Sequence, residues 1–516
     1  MGWTQAARRR RRGWGERATV VMGTVVMGTV VMSTVVMSAA VMGVAVAGTP
    51  AVAVTAHGGW GQAAEVPGLG ALNQGGNAGI SAISCGAAGD CSAGGSYTEA
   101  SGHPNAYLAD ENQGAWQQAV VVPGLAALNQ GGSASLGALS CATADGCAAG
   151  GSYTDAGGHV EGFVVSRSGS SWGQAAQIPG LSQLNKGGAA GVGSLSCVSA
   201  GDCTAAGGYT NQTDHQQVFV VAEQNGSWGQ AGQIPGLSQL DAGNGAGLGA
   251  LSCGAAGNCS AGGYYTNGAG SRQGFVASET GGVWHKAVEV PGLGMLNKYG
   301  MAEVTSVSCP AAGDCAAGGF YAGGCDCGSN PPAVPFVVSE TGGTWGRARE
   351  IPGDPNVGDY GETTSVSCAS AGDCTAGGFY SDGSQAGCCT QVFVDTEAGG
   401  RWGSTREVPG SGALGAGDGD SLAQVSCAAN GVCAAGGYYT GVSGDVDDAW
   451  VDSGSGGNWA TAEEVPGTAA LNRQNAFLNV VSCTGNGMCG AGGTYTDGAG
   501  HTQVFVVSGK RSGGRR

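Results

Sequence analysis

The sequence predicts an all-β fold, an eight-bladed β-propeller with four antiparallel strands in each blade. Most of the 516-residue chain is one repeat, marked by a tryptophan that recurs every 56 to 61 residues. Apolar runs of four to six residues, bounded by Gly, Pro, Asn or Asp, predict short strands within each repeat. Four strands repeated eight times at this period are typical of a propeller. The markers are Trp60, Trp116, Trp172, Trp228, Trp284, Trp345, Trp402 and Trp459.

Each repeat contains four such runs, which we name strands A to D. In the fifth repeat they are Val304–Cys309, Cys315–Tyr321, Phe336–Ser339 and Trp345–Ile351. The array begins with a strand D, Trp60–Val66, and ends after a strand C, Val504–Val507. We therefore expect the N-terminal strand to complete the last blade and close the ring. A linear β-solenoid is the alternative, but its rungs are usually shorter and it needs capping units.

Residues 1–56 are predicted to be an export signal or an N-terminal membrane anchor. Arg8–Arg12 precede a long uncharged stretch, and small residues at Ala45–Ala47 and Val54–Ala56 suit signal cleavage. The apolar run over residues 18–47 is also long enough to remain in the membrane as an anchor. Either outcome exports the rest of the chain, so we expect a secreted or surface-attached protein.

The repeat body, residues 57–508, is acidic and rich in glycine. Gly accounts for 105 of the 516 residues, and only 11% of residues are charged. The body holds ten Lys or Arg against 36 Asp or Glu, and such a field repels polyanions. Nucleic-acid binding is therefore excluded as a function class. Separately, we expect the protein to be a monomer. Residues 509–516 form a basic tail, which we expect to be disordered.

Sixteen of the 20 cysteines form eight Cys-x5-Cys pairs, each around the predicted turn between strands A and B. Facing cysteines across a hairpin lie within disulfide reach, so an exported chain is expected to bridge them. The pairs are Cys85/Cys91, Cys141/Cys147, Cys197/Cys203, Cys253/Cys259, Cys309/Cys315, Cys368/Cys374, Cys427/Cys433 and Cys483/Cys489. The other four, Cys325, Cys327, Cys388 and Cys389, fall in B–C loops of neighbouring repeats. They predict one or two inter-blade bridges or, alternatively, a metal site with four thiolates.

The turn between strands C and D resembles a degenerate Asp-box of the sialidase-like propellers. The resemblance places Glu223, Glu279, Glu340 and Glu397 at the acidic position and Gly281, Gly342 and Gly399 at the glycine position. Arg167 and Gly454 depart from it. The whole repeat is also similar to uncharacterised secreted bacterial proteins with the unit Ser-Cys-x5-Cys-x-Ala-Gly-Gly-x-Tyr. These resemblances imply a propeller fold and no particular activity.

Two further residue types recur and have both structural and functional interpretations. The motif tyrosines are either core residues with hydrogen-bonded hydroxyls or a face that stacks on sugars. Four histidines, six residues after a motif tyrosine, are either exposed loop residues or a metal-binding rim. The tyrosines are Tyr97, Tyr153, Tyr209, Tyr265, Tyr321, Tyr380, Tyr439 and Tyr495. The histidines are His103, His159, His215 and His501.

No catalytic, cofactor or metal-binding residue is assigned from the sequence. Sialidase chemistry needs an arginine cluster, but the arginines that lie close together in sequence are on outer D strands. These are Arg347, Arg349, Arg401 and Arg406. The leading hypothesis is a non-catalytic propeller that binds a glycan or a protein. The alternatives are a glycoside hydrolase or lyase on a propeller scaffold, and a structural surface protein.

The variable segments predict which face of the propeller binds a ligand. The A–B and C–D turns share one face, here the disulfide face, and are nearly constant in length. The B–C loops and D–A links share the other, here the loop face. The loop face varies most in the fifth and sixth repeats, at Gly323–Pro335 and Asp354–Glu362. Since recognition is usually carried by variable loops on a rigid frame, we expect a ligand to bind there.

Overall fold

The computed structural model describes residues 59–323, 332–351, 360–381, 390–415, 419–441 and 446–510. The predicted export segment, residues 511–516 of the C-terminal tail and most of the two variable segments lie outside these residues. So do Cys325, Cys327, Cys388 and Cys389, whose pairing stays a prediction. Gly509 and Lys510, which the sequence predicted to lie in the disordered tail, instead belong to strand C of the last blade because they pair with the N-terminal strand. In the described part of the chain, the helices are single turns, and none has the length and apolar character to cross a membrane.

The strands form eight antiparallel sheets, and we number the blades by their A strands. The A strands are Ala78–Ala87, Ala134–Thr143, Ala190–Ser199, Ala246–Ala255, Ala302–Ala311, Gly361–Ser370, Ser421–Cys427 and Ala476–Cys483. The B strands are Asp90–Thr98, Gly146–Thr154, Asp202–Thr210, Asn258–Thr266, Asp314–Ala322, Asp373–Ser381, Val432–Thr440 and Met488–Thr496. The C strands are Pro104–Asn112, Val160–Ser168, Gln216–Gln224, Arg272–Thr280, Ala333–Thr341, Thr390–Ala398, Asp447–Ser455 and Thr502–Lys510.

Strand D is the outer edge of each blade and is divided into two short segments. The first segments are Gly59–Trp60, Ala115–Trp116, Ser171–Trp172, Ser227–Trp228, Val283–Trp284, Thr344–Trp345, Arg401–Trp402 and Asn458–Trp459. The second are Ala64–Glu65, Val120–Val121, Ala176–Gln177, Gly232–Gln233, Val288–Glu289, Arg349–Glu350, Arg406–Glu407 and Glu463–Glu464. Helical turns follow at Leu69–Leu72, Leu125–Leu128, Leu181–Leu184, Leu237–Leu240, Leu293–Leu296, Ser411–Leu414 and Thr468–Leu471.

A bulge explains why strand D is interrupted, which the sequence did not predict. In blade 1, Trp116 pairs with Glu111 and Val120 pairs with Leu108, so three residues of strand D oppose two of strand C. The bulge frees the N–H of Ala119 to donate to the carbonyl of Pro67 in the preceding repeat at 2.7 Å. The recurring Val/Ile-Pro-Gly unit therefore supplies a carbonyl that joins consecutive blades.

The ring is closed by the N-terminal strand, which confirms the expectation from the offset of the two ends. Trp60 pairs with Gly509 and Glu65 pairs with Phe505, so this strand becomes strand D of blade 8. The sheet order from edge to axis is then D, C, B, A in every blade. The predicted eight-bladed propeller with four antiparallel strands per blade is therefore confirmed.

A ring of hydrogen bonds joins the A strands around the axis. In every blade the backbone N–H of the first motif cysteine donates to the hydroxyl of the serine that precedes the cysteine of the neighbouring blade. The Cys85–Ser482 bond, at 3.0 Å, joins the first blade to the last. The other seven span 2.8 to 3.1 Å. The serine of the Ser-Cys unit therefore links the blades, while the cysteine closes its own hairpin.

All eight Cys-x5-Cys pairs are disulfide-bonded within their hairpins, as the spacing predicted. Their Cα atoms lie 3.9 to 4.1 Å apart across the A–B turn. The bridges are Cys85–Cys91, Cys141–Cys147, Cys197–Cys203, Cys253–Cys259, Cys309–Cys315, Cys368–Cys374, Cys427–Cys433 and Cys483–Cys489.

In five blades the residue before the second cysteine is Asp or Asn, and its side chain holds the neighbouring turn of the same blade. The Asp90 carboxylate accepts the N–H of Gln113, and Asp314 accepts that of Gly342, both at 3.0 Å. The disulfide face is therefore fastened both within its A–B turns and between them and the C–D turns.

The acidic residues of the Asp-box-like turns are buried between blades. Ser166 donates to Glu223 of the next blade at 2.5 Å, and Ser278 donates to Glu340 at 2.7 Å. The marker tryptophans reach the same serines, as in the 3.0 Å bond from the Trp228 indole N–H to Ser166. The Asp-box-like turn therefore joins neighbouring blades in this chain.

Arg167, which departs from the acidic pattern, also joins two blades at this position, but here the carboxylate lies on the preceding blade. Its guanidinium lies 3.2 Å from Asp110, the residue at the serine position of the preceding blade. Arg167 is 6% exposed, so the pair is largely withdrawn from water. The sequence departure is therefore matched by a partner that compensates for it.

Candidate functional site

One layer of side chains on the loop face breaks the eightfold regularity. It consists of the variable residue of Ala-Gly-Gly-x-Tyr on strand B and the strand A residue paired with it. The pairs are Gly79–Ser96, Ser135–Ser152, Gly191–Gly208, Gly247–Tyr264, Glu303–Phe320, Glu362–Phe379, Ser421–Tyr438 and Phe477–Thr494. Both members are small in blades 1 to 3, whereas blades 4 to 8 each carry an aromatic ring.

A groove of about 470 Å³ lies where the small residues meet the first aromatic one. Gly191, Gly208 and Gly247 contribute to its lining, together with Gln216 and Tyr264. A Cβ on Gly247 would overlap the Tyr264 ring, so glycine is required for the ring to lie there. The Tyr264 hydroxyl donates to Gln216 Oε1 at 3.3 Å and so joins blades 3 and 4.

Arg272 stacks on the tyrosine that borders the groove. Its guanidinium carbon lies 3.4 Å from the centroid of the Tyr264 ring, a cation–π contact. The Nη2 atom of Arg272 lies 2.7 Å from Oε2 of Glu303 in the next blade. The two charged side chains are 34% and 19% exposed, so the pair is partly accessible from solvent.

A second carboxylate, Glu362 of blade 6, lies beside Glu303 of blade 5. The adjoining A strands are held together there, since the Thr305 hydroxyl donates to the carbonyl of Thr363 at 2.6 Å. Burial raises the pKa of Glu303; Arg272 lowers that pKa, and the charge of Glu362 raises it further. Arg272, Glu303 and Glu362 therefore bring charges from three consecutive blades together; we call them the charged cluster.

Aromatic rings continue from the charged cluster around the loop face. Tyr360 is 42% exposed, and its hydroxyl donates to Glu362 Oε1 at 3.0 Å. Burial, together with Glu362, raises the pKa of Tyr360 to about 12. The Tyr360 ring lies 5.7 Å from that of Phe379, and Tyr438 meets Phe477 edge-on at 5.1 Å. These half-buried rings, with carboxylates between them, are a surface suited to ring-shaped polar ligands.

The paired cysteines are structural residues and do not belong to the candidate site. The second cysteine of each bridge is only 2 to 7% exposed, so its sulfur is withdrawn from solvent and from any ligand. These buried cysteines are Cys91, Cys147, Cys203, Cys259, Cys315, Cys374, Cys433 and Cys489. Because the bridges lie at the A–B turns of the disulfide face, they do not contribute to the groove or to the charged cluster.

The motif tyrosines do not form a stacking face. Seven of the eight are at most 7% exposed, and Tyr380 is half-buried. Their hydroxyls find polar partners, as in the 2.8 Å bonds from Tyr265 to Glu289 and from Tyr321 to Glu350. The core interpretation of these tyrosines therefore agrees with the structure. The residues that precede them point to the opposite side of strand B, and in blades 4 to 7 these residues carry the half-buried rings.

The four histidines lie apart from one another in the B–C loops. His103, His159 and His501 are exposed, and His215 is half-buried. His159 contacts the Asp155 carboxylate at 3.4 Å in its own loop. Within the described residues no group of three or more His, Cys, Asp or Glu side chains is placed to hold a metal ion.

The charged cluster only partly overlaps the variable segments that the sequence pointed to. Glu362 is the last residue of Asp354–Glu362, whereas Tyr264, Arg272 and Glu303 had not been selected. The signal that identifies Tyr264 is the variable residue of Ala-Gly-Gly-x-Tyr, which changes from Ser or Gly to Tyr or Phe at the fourth repeat. Because side chains alternate along a strand, this residue faces away from the core tyrosine.

The fold and the site define a disulfide-bonded eight-bladed β-propeller with an asymmetric loop face. No protein-family model matches the chain, and no curated protein matches it. Among solved structures it is similar to a Hadza microbial sialidase, with 8% identity, a TM-score of 0.36, and coverage of 87% of this chain and 68% of that one.

Two other solved structures are similar at the same level. The GH74 enzyme of Niastella koreensis has 11% identity and a TM-score of 0.42, with coverage of 86% of this chain and 60% of that one. A subtype N11 neuraminidase-like protein of A/flat-faced bat/Peru/033/2010 has 11% identity and a TM-score of 0.33, with coverage of 62% and 88%. Similarities of this size lend no support to a shared activity.

Proposed function

We propose that the chain is an extracellular, non-catalytic propeller that binds a glycan in the groove bordered by Tyr264. The observation that carries the proposal is the break in regularity on the loop face. Small residues leave a cavity of about 470 Å³ in blades 2 to 4, and half-buried aromatic rings follow it in blades 4 to 8. A concave site of this size, bordered by an aromatic ring and a few polar groups, suits a small ring-shaped ligand.

The chemistry of the groove favours a saccharide over a flat protein surface. A sugar ring presents an apolar C–H face and polar edges, which match the Tyr264 ring and the Gln216 amide. Ser152 also lines the groove and adds a hydroxyl. Apolar surface that the sugar and the ring remove from water contributes about 25 cal/mol per Å². The groove is small and concave, whereas a stable protein interface typically buries about 1,200–2,000 Å² of surface.

An extracellular location is supported by the cysteines and by the N-terminal sequence. Eight disulfides within one chain persist in oxidising compartments. The basic start and apolar run of residues 1–56 also fit the predicted export signal or anchor.

A glycan array with the wild-type protein and two variants tests this proposal. Tyr264→Ser removes the ring that borders the groove, and we expect about 3- to 10-fold weaker binding to the glycans that the wild type retains. Val283→Ala is the matched control, since Val283 lies in the same blade on the disulfide face and is 62% exposed. Absence of wild-type binding to any glycan, or equal loss in both variants, would refute the proposal.

The second candidate is glycoside hydrolysis by Glu303 and Glu362. The specific observation is a pair of neighbouring carboxylates, one of which has a raised pKa as a general acid requires. Chromogenic glycosides distinguish the two functions. We expect no turnover, whereas hydrolysis that disappears in Glu303→Gln would favour the enzyme. Glu99→Gln is the control, because Glu99 lies near the loop face in blade 1, outside the groove.

A further inference from the structure

We propose that the loop-face site prefers saccharides that carry a protonated amino group over neutral and uronate-containing ones. This inference rests on the proposed glycan binding and names its ligand class. It derives from the charged cluster, in which Arg272, Glu303 and Glu362 come from blades 4, 5 and 6. The cluster adjoins the groove because Arg272 stacks on Tyr264, which is part of the groove lining.

The only cation of the cluster is already engaged. One face of the Arg272 guanidinium lies on the Tyr264 ring, and its Nη2 atom is paired with Glu303. The Nε atom of Arg272 is buried from solvent and cannot reach a ligand. An incoming carboxylate would therefore compete with Glu303 for the guanidinium and would meet the charge of Glu362 as well. The site is thus poorly suited to uronates.

Glu362 is the group left to meet a cationic ligand. Among the described residues it has no ion pair, and its hydrogen-bond donor is the hydroxyl of Tyr360. An ammonium group there would make a charge-assisted hydrogen bond, which is roughly twice as strong as a neutral one. The neighbouring rings of Tyr360 and Phe379 add faces that attract a cation.

The field of the whole repeat body acts in the same direction. Residues 57–508 carry ten basic against 36 acidic side chains, so a polycationic oligosaccharide is attracted and a polyanionic one is repelled. This long-range field is screened by salt, whereas the contact with Glu362 is partly buried and screened less. Selectivity that persists at high salt therefore reports on the cluster itself.

Calorimetry with three tetrasaccharides of equal length tests the inference. The probes are the chitosan, chitin and polygalacturonate tetramers, which carry amino, acetamido and carboxylate groups. At physiological salt and mildly acidic pH we expect the amino tetramer to bind at least tenfold tighter than the other two. Glu362→Gln should reduce that ratio about tenfold, whereas Glu99→Gln, the blade 1 control, should leave it unchanged.

The outcomes separate this inference from the function on which it rests. If no saccharide binds here or on the glycan array, the proposed function fails. If a saccharide binds but the acetamido or carboxylate tetramer binds as tightly as the amino one, glycan binding stands and the amine preference is wrong. A preference that survives Glu362→Gln unchanged would also overturn it, since the field alone would then explain the selectivity.

Discussion

The ion pair of Asp110 in blade 1 with Arg167 in blade 2 allows a quantitative test of how the propeller is held together. Asp110 Oδ1 accepts hydrogen bonds from Arg167 at 3.2 Å and from Ser92 at 2.5 Å. Arg167→Glu removes the cation and places a second carboxylate beside Asp110. Breaking one partner of a buried ion pair costs about 3–5 kcal/mol, so we expect a loss of that size in the free energy of unfolding.

The double variant Arg167→Glu with Asp110→Ser should recover most of that loss. It recreates the kind of serine–glutamate pair by which Ser166 and Glu223 join blades 2 and 3. Urea unfolding followed by tryptophan fluorescence measures both variants, and we expect the double variant to lie within about 1 kcal/mol of the wild type. A double variant no more stable than Arg167→Glu alone would show that the contact is not an interchangeable inter-blade pair.

Three further predictions follow from closure, packing and burial. Deleting residues 57–67 removes strand D from blade 8 and should lower the melting temperature sharply. The backbone amides of Val504–Val507 should then exchange with solvent faster, because this strand becomes an open edge. A truncated protein that melts like the intact one would contradict closure by this strand. Ala222→Ser gives the buried Glu279 the donor that other blades have and should add about 1 kcal/mol to stability in urea, a gain that should vanish in Glu279→Ala. Burial raises the pKa of Asp452 to about 7, so the folded state favours its protonated form. The free energy of unfolding should therefore decrease as the pH rises from about 4 to about 7. Asp452→Val should flatten part of this decline, and an unchanged pH profile would contradict the prediction.

The repeat itself made the fold predictable from sequence. Four short strands that recur at a nearly constant period specify the number of blades. The array begins with a strand D at Trp60 and ends after a strand C at Val507, and this offset specifies how the ring closes. The disulfides followed from the hairpin spacing of the cysteines. The bulge in strand D was not predicted, because it depends on an inter-blade hydrogen bond to Pro67 and its equivalents, which lie a whole repeat away.

The site was less predictable because it depends on contacts between repeats. Loop variation pointed toward the loop face, where ligand binding stays a prediction, and Glu362 fell within one of the variable segments. The ring of Tyr264 was overlooked because its neighbour, Tyr265, carries the regular motif, and adjacent strand residues face opposite ways. The Arg272–Glu303 pair joins residues 31 positions apart on different blades, and no local pattern in the sequence reveals such a pair.

Filling the groove tests the central claim, that this cavity is the binding site. Gly208→Tyr recreates in blade 3 the Gly–Tyr pair of blade 4, and a Cβ at Gly208 would meet nothing closer than 3.9 Å. Ser96→Tyr places the same ring at the equivalent position of blade 1, outside the groove. With a glycan identified on the array, we expect Gly208→Tyr to weaken binding at least tenfold while Ser96→Tyr binds like the wild type and both fold normally. Wild-type affinity in a folded Gly208→Tyr variant would contradict the claim.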